Sequence, residues 1–332
     1  MTMEVTIRNF KSVGDVEMRL GRATVLIGPA ASGKSNILEA LALATYFDRA
    51  ALYGKAEPLR RLLRAESTTE LFTFYDASSA VEISITAAGW SRRLRIEKSL
   101  IEVDGLPAAE HNLFAEPGRA VLGRFYGFDR FREDVVGAVA GRIGEQSCGA
   151  PRDLLRDDGR NMRVVAGRQL EAIRDVNAVL QEFSRVEVRL LGDRIALFDG
   201  GVEAKAGSDS VYRALYYLIG LSSTVYFAKV NGLEGRTLVL LEEPETHPQF
   251  LGLIVKYIAK LSEVGYAVIS THSPLLVSLL RDKVDVTLYY VYRGEGGLTE
   301  VAELDKDKLA QELVTSLDLL LMKPREALRL SA

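Results

Sequence analysis

The chain has 332 residues, a formal net charge of -3 and 48% hydrophobic residues, which is an ordinary globular profile with enough length for one large core or two lobes. Its single cysteine, Cys148, excludes an intrachain disulfide and favours a reducing, cytoplasmic compartment. Residues 1–10 alternate and carry charges, so we expect no signal peptide there. Charged residues interrupt the apolar stretch 211–230, so we expect a buried helix and no membrane span.

Hydrophobic periodicity predicts an α/β protein. In the first third, we expect strands over 3–9, 13–20 and 23–27, a helix over 35–47, helix and loop over 48–70, and a hairpin of strands over 81–86 and 92–97. Residues from about 110 to 180 read as helices with loops. They are followed by a hairpin over 185–191 and 194–198 and a helix over 210–230. The remainder predicts strands over 237–241 and 266–270 with helices over 249–263 and 274–280, an antiparallel pair over 286–292 and 298–302, and one last helix over 305–320.

Residues 28–35, Gly-Pro-Ala-Ala-Ser-Gly-Lys-Ser, match the phosphate-loop pattern G-x-x-x-x-G-K-[ST] in full. The loop lies between a predicted strand and a predicted helix, which is the context that the motif requires. Its glycines let successive N–H groups point at phosphate oxygens. We expect Lys34 to reach the β and γ phosphates and the Ser35 hydroxyl to help hold Mg²⁺.

Two adjacent carboxylates follow the buried strand 237–241. Buried carboxylates are costly unless a cation or a reaction uses them, and ligands bind at the carboxyl ends of strands in open α/β sheets. We therefore assign Glu242 to the Mg²⁺–water shell and Glu243 to orienting the attacking water. The alternative is an acidic loop without a function.

His272 follows the next predicted strand, at the same edge of the sheet. A neutral imidazole there could contact a γ phosphate and sense its loss. Ser273 and Pro274 also fit a helix start, with Ser273 as the cap and Pro274 at the first helical position, and both interpretations can hold together.

These blocks, in this order, resemble the ABC-type ATPase heads of the SMC, RecF and OLD group. The matching segments are Ile7–Ser12, Gly28–Ala40 including Asn36, Glu242–Glu245 and Ser270–Pro274. The resemblance implies a P-loop NTPase with a mixed central sheet, an N-terminal antiparallel β subdomain and a helical lobe. It makes residues 1–332 a single head with lobes at 1–110, 111–235 and 236–332.

The resemblance also implies ATP and Mg²⁺ as ligands and an ATP-dependent homodimer that sandwiches two nucleotides. The nucleotide contacts are then Gly28, Ala31, Ser32, Gly33, Lys34, Ser35 and Asn36, with Ser208 as the candidate signature serine that reaches the γ phosphate of the opposite protomer. Since no second positive group is evident beside Lys34, Glu243 and His272, we expect the missing donor to come from the partner. A simple helix cap is the alternative for Ser208.

Four departures from the group's pattern make slow or partner-dependent hydrolysis a reasonable expectation. Ala30 replaces the usual Asn, Ser210 replaces the usual signature Gly, and Glu242 replaces the usual Asp. No glutamine lies between residues 37 and 145, so the group's Q-loop residue has no candidate.

The sequence leaves three functions open. The first is an ATPase that regulates an effector protein or a nucleic acid, the second a nucleotide-gated scaffold with negligible turnover, and the third a transporter ATPase subunit. DNA is a candidate partner because arginines crowd the helical lobe, although nearby acidic residues dilute them. These arginines are Arg119, Arg124, Arg130, Arg132, Arg142, Arg152, Arg156, Arg160, Arg163, Arg168 and Arg174.

Overall fold

The computed structural model describes residues 2–48, 52, 59–98, 100–108, 120–140, 153–192, 194–204, 208–312 and 314–331. The described residues do not include Cys148, Arg119, Arg142, Arg152 or the first two residues of the candidate signature segment 206–210.

The strands are β1 (Met3–Phe10), β2 (Val13–Leu20), β3 (Ala23–Ile27), β4 (Val81–Ala87), β5 (Trp90–Glu97), β6 (Leu100–Val103), β7 (Leu106–Pro107), β8 (Leu122–Tyr126), β9 (Val186–Leu190), β10 (Ile195–Asp199), β11 (Val202–Glu203), β12 (Thr237–Glu242), β13 (Tyr266–Ser270), β14 (Val286–Arg293) and β15 (Thr299–Glu303).

The helices, in chain order, are α1 (Lys34–Tyr46), α2 (Leu59–Leu63), α3 (Phe128–Val139), α4 (Met162–Ala166), α5 (Leu170–Phe183), α6 (Asp209–Val230), α7 (Pro248–Val264), α8 (Pro274–Lys283), α9 (Lys306–Gln311), α10 (Ser316–Leu321) and α11 (Pro324–Arg329). The two long helices α6 and α7 pack against each other. Within the described ranges, no helix is both long enough and apolar enough to cross a bilayer.

One large mixed sheet organises the described residues. Its strands follow the order β7-β6-β5-β4-β1-β2-β15-β14-β3-β13-β12-β8, while β11, β10 and β9 form a small separate sheet. Strands β1, β2 and β4 to β7 pair antiparallel and form the predicted N-terminal subdomain. Strands β14, β3, β13, β12 and β8 are mutually parallel, so their carboxyl ends lie at one edge.

Burial explains why the parallel strands lack alternation. Every residue of β3, β8, β12 and β13 is buried, because helices cover this part of the sheet on its faces. Helix α1, which follows the phosphate loop, packs against β8, β12 and β13. The buried strands and α1 therefore form a packed core directly beneath the carboxyl ends of the parallel strands.

Two sequence expectations are wrong. The region 110–180 was expected to be helices and loops, yet it contains the buried strand β8. The charge of Arg124 hid the apolar character of β8. Inside the protein, this side chain pairs with Asp157 (2.8 Å) and donates to the carbonyl oxygen of Leu155. The single last helix over 305–320 is instead a series of short helices: Thr315 forms a capping box with Asp318 that starts α10, and a further short helix begins at Pro324.

The arginines of the helical lobe are mostly engaged within the protein. Six of the described ones pair with carboxylates: Arg124 with Asp157, Arg130 with Glu242, Arg132 with Asp209, Arg156 with Asp158, Arg160 with Asp134, and Arg168 with Asp153. Arg163 donates to the carbonyl oxygen of Leu191 (2.7 Å). The count of arginines therefore overstates the positive charge that this lobe presents to a nucleic acid.

The buried pair Arg124–Asp157 gives a stability prediction. Both side chains are at most 1% exposed, so Asp157→Ala leaves a buried guanidinium without its carboxylate and should lower the free energy of unfolding by about 3–5 kcal/mol. Denaturant titration measures the loss. The control Asp285→Ala breaks the exposed pair with Lys306 and should change stability little. Similar losses in the two variants would contradict this account of the helical lobe.

Candidate functional site

The predicted site residues converge because their strands are parallel. The phosphate loop follows β3, the acidic run 242–245 ends β12, and His272 follows β13. At the shared edge, the His272 Nε2 atom lies 3.7 Å from Glu243 Oε1. The charges of Glu243 and Glu245 also act on the Lys34 ammonium. Lys34, Glu243 and His272 are therefore brought together as the sequence predicted.

The phosphate loop needs its glycines for steric reasons. Gly28 and Gly33 have φ values of 141° and 109°, and Ala31 also lies in the left-handed region at 59°. A Cβ atom on Gly28 would lie 2.0 Å from the Val291 carbonyl oxygen, and one on Gly33 would lie 2.0 Å from Thr299 Oγ1. Strands β14 and β15 therefore press against the loop and fix its shape.

Two side chains from outside the motif also hold the loop. Thr299 Oγ1 donates to the carbonyl oxygen of Ser32 (2.9 Å), and Arg293 Nε donates to that of Ala31 (2.9 Å). Asn36 Nδ2 donates to Ser12 Oγ (2.6 Å), which is 2.7 Å from Thr299 Oγ1. Asn36 thus braces the loop against β15. Sequence reasoning missed this bracing because Thr299 and Arg293 lie more than 260 positions from the loop residues that they contact.

Lys34 is folded onto its own loop. Its Nζ donates to the carbonyl oxygens of Gly28 (2.9 Å) and Pro29 (2.8 Å), and the side chain is buried. Burial lowers the pKa of Lys34 to about 8, although Glu243 and Glu245 oppose this shift. The ammonium is therefore weakly solvated and is held within the loop by carbonyl oxygens.

Glu242 is held by arginines. Arg130 contacts both of its carboxylate oxygens (2.7 and 3.0 Å), and Arg64 Nη2 lies 3.1 Å from Oε2. Burial opposes ionisation, but Arg130, Arg64 and a hydrogen bond with Ser35 outweigh it and hold the pKa of Glu242 below its ordinary value. Arg130 is 3% exposed and also pairs with Glu39 (2.8 Å), so it is firmly anchored.

These contacts test whether the site suits Mg²⁺. Ser35 and Glu242 are adjacent, as expected for a hydroxyl ligand beside a carboxylate. A carboxylate has about four acceptor positions, and Arg130, Arg64 and Ser35 provide four contacts. Ser35 therefore fits a direct ligand, whereas Glu242 fits an acceptor for a metal-bound water once one donor leaves. Arg64, with its side chain 53% exposed, is the donor best able to leave.

Arg64 and Arg130 correct one expectation, because the edge does contain further positive groups in the same chain. The sequence signal for Arg130 was present, since it lies four residues after β8, but β8 itself was not predicted. Arg64 follows α2 with a φ of 47° and has no motif to mark it. It also lines a cavity of about 470 Å³ with Lys11, Ser12, Phe74, Tyr75 and Arg293, next to the phosphate loop.

Glu243 has an unusual backbone. Its φ is 46°, which is strained for a residue other than glycine and persists only where surrounding contacts impose it. The N–H of Glu243 donates to the Ser270 carbonyl oxygen (3.0 Å). The Tyr217 hydroxyl donates to the carbonyl oxygen of Glu243 (3.3 Å). The side chain is 48% exposed and so is open to a water molecule or a phosphate.

Ser208 stands apart from the residues above. It is the N-cap residue of α6, is exposed, and makes no side-chain capping hydrogen bond. The first turns of α6 nevertheless touch the acidic run: Thr246 Oγ1 donates to the Ser210 carbonyl oxygen (2.9 Å). The hydroxyl of Ser208 and the start of a 22-residue helix are thus left facing outward.

Comparisons with known proteins support the predicted fold. Residues 1–84 match the family model of an AAA ATPase domain. A solved SMC head bound to the C-terminal winged-helix domain of ScpA is similar over 92% of this chain and 99% of that chain, with 15% identity and a TM-score of 0.57. The fold is that of an SMC-type ATPase head. This agrees with the predicted fold class and with the prediction of an ATPase.

Two further structures are similar. One is an Smc head domain with an extended coiled coil bound to the C-terminal domain of ScpA, derived from Pyrococcus furiosus; the match has 14% identity and a TM-score of 0.54 and covers 94% of this chain and 98% of that chain. The other is RecF with ATP, with 13% identity and a TM-score of 0.45 over 92% of this chain and 98% of that chain. No curated protein matches the sequence.

The position of Lys34 gives a binding prediction. Lys34→Ala should abolish measurable ATP affinity, because it removes the cation that lies within the loop. Isothermal calorimetry measures the affinity, and Lys256→Ala, which removes an exposed lysine paired with Asp175, is the matched control and should bind as the wild type does. Normal ATP binding by the Lys34 variant would show that residues 28–35 are not the phosphate site.

Proposed function

We propose that the chain binds ATP at residues 28–35 and hydrolyses it with residues from the ends of β12 and β13. The observation that carries this proposal is the convergence of Lys34, Glu243 and His272 at one edge of the parallel strands. A phosphate loop alone binds nucleotide, whereas hydrolysis also needs a group that orients water. Glu243 supplies an exposed carboxylate for that purpose.

Each residue has a separate role in this proposal. The loop N–H groups and Lys34 bind the phosphates, and Glu243 accepts a hydrogen bond from the attacking water. His272 lies beside Glu243 and contacts the γ phosphate. Arg64 supplies positive charge near the phosphate loop in the same chain. The Ser35 hydroxyl would hold Mg²⁺, which would supply positive charge to neutralise the phosphates.

We further propose that ATP joins two copies of the chain. The resemblance to SMC-type heads motivates this, and the outward-facing start of α6 with Ser208 provides a group that could bind the γ phosphate of a second copy. A second copy would place that helix N-terminus over the exposed side chains of Glu243 and His272.

A protein is the partner class that we favour. The SMC heads with the same fold were solved in complex with ScpA, a protein. The ion pairs of the arginines in the helical lobe argue against a nucleic acid as the primary partner. With a single cysteine, the chain suits the reducing conditions of the cytoplasm.

The second candidate function is a nucleotide-gated scaffold with negligible turnover. The occupation of Glu242 by Arg130 and Arg64 favours it, because these contacts must change before the carboxylate can serve a metal-bound water. Single-turnover hydrolysis distinguishes the two functions, because a scaffold binds ATP without cleaving it.

Glu243→Gln tests both parts of the proposal. The variant should keep its ATP affinity, lose turnover by roughly 10²–10⁴-fold because the water is no longer oriented, and form a tight dimer with ATP and Mg²⁺. Wild type with ADP should be mainly a weak dimer or a monomer. Light scattering measures the mass, and single-turnover assays measure the hydrolysis.

Ser208→Arg in the Glu243→Gln background should break this dimer, because it places a bulky charge against the opposing loop. Arg174→Glu, an exposed change on α5, is the control and should leave the dimer intact. A mass that does not change with nucleotide, or a dimer that tolerates Ser208→Arg, would refute the sandwich. Unchanged turnover in the Glu243 variant would refute its role in hydrolysis.

A further inference from the structure

Glu245 connects the acidic run after β12 to the loop that carries His272. Its Oε1 atom accepts hydrogen bonds from the backbone N–H groups of His272 (2.6 Å) and Ser273 (3.1 Å) and from the Thr271 hydroxyl. Three donors therefore meet on one oxygen. No motif considered in the sequence assigned a role to this residue.

The loop that Glu245 holds is fixed at both of its ends. The carbonyl oxygen of Ser270, at the end of β13, accepts from the N–H of Glu243 (3.0 Å). Ser273 Oγ caps α8 by accepting from Leu276 N (3.2 Å). Between these two points, the backbone N–H of His272 is bonded to the side chain of Glu245, which follows the end of β12. The backbone that carries the imidazole is therefore bonded directly to Glu245.

A loop cap for stability alone is the simpler explanation, and one observation weighs against it. The other carboxylate oxygen, Oε2, is buried and has no hydrogen-bond partner among the described residues, although buried polar atoms are normally paired. A residue serving only the loop would not need a buried oxygen without a partner.

We propose that Glu245 is a positioning residue for hydrolysis, which sets the His272 imidazole against Glu243 through its hydrogen bonds to residues 271–273. It touches neither the nucleotide nor the water in this scheme. The inference rests on the proposed function for its catalytic consequence, but the structural link between Glu245 and His272 can be measured without nucleotide.

The experiment combines a spectroscopic and a kinetic measurement. The chain has three histidines, His111, His247 and His272, so a ¹³C-labelled imidazole spectrum is simple and His272→Ala assigns its resonance. Glu245→Ala should shift the His272 resonance and slow single-turnover hydrolysis by roughly 10–100-fold, with the ATP dissociation constant unchanged. Glu245→Gln retains an acceptor oxygen for the three donors and should restore both the resonance and most of the rate.

The matched control is Asp305→Ala. Asp305 also accepts backbone hydrogen bonds through one oxygen, from Asp307 N (2.8 Å) and Lys308 N (3.1 Å), but it is the N-cap residue of α9. This variant should lower thermal stability without changing the His272 resonance or the rate. Thr271→Val removes only the hydroxyl donor and should give an intermediate effect; it decides the matter if Glu245→Ala does not fold.

The double variant Glu245→Ala/His272→Ala provides the decisive kinetic comparison. If Glu245 acts through His272, the double variant is no slower than His272→Ala alone. Additive losses, an unshifted His272 resonance, or a loss confined to ATP affinity would overturn the positioning role. If His272→Ala hydrolyses ATP normally while Glu245→Ala still shifts the resonance, the link stands and the proposed role of His272 fails instead.

Discussion

The parallel pairing of β3, β13 and β12 is the constraint on which the candidate site depends. Residues that are more than 200 positions apart in sequence meet because these three strands point the same way and end together. Full burial of the strands fixes their register, and the register determines which side chains reach the edge. A one-residue shift of β12 against β13 would move Glu243 away from the Ser270 carbonyl oxygen that accepts its N–H.

Charge balance is the second feature of this edge. Lys11, Lys34, Arg64 and Arg130 face Glu39, Glu242, Glu243 and Glu245, so four positive and four negative side chains share a compact region. A polyphosphate entering this region would find Lys34 and Arg130 already desolvated, which strengthens their interaction with it. The contacts between arginines and Glu242 would then have to rearrange, and this is consistent with slow turnover.

Much of the fold and the centre of the site could be predicted from sequence, because they depend on local patterns. The phosphate loop, Glu243, His272 and the strands that carry them follow from motif spacing and burial periodicity. What failed depends on contacts between distant residues. Arg124 made β8 look polar until its partner Asp157 was known, and Arg130 was considered only among the arginines that could contact DNA. The hydrogen bonds from Thr299 and Arg293 to the phosphate loop leave no local pattern in the sequence. The same is true of the hydrogen bonds between Glu245 and residues 271–273.

The central claim is that three strand ends form one ATP site. Hydrogen–deuterium exchange of the Glu243→Gln variant, with and without ATP and Mg²⁺, tests it most directly. The account predicts slower amide exchange upon ATP addition in all three segments: 28–35, 242–245 and 271–273. Protection confined to 28–35, with the other two segments unchanged, would contradict it, because the acidic run and the His272 loop would then lie outside the nucleotide site.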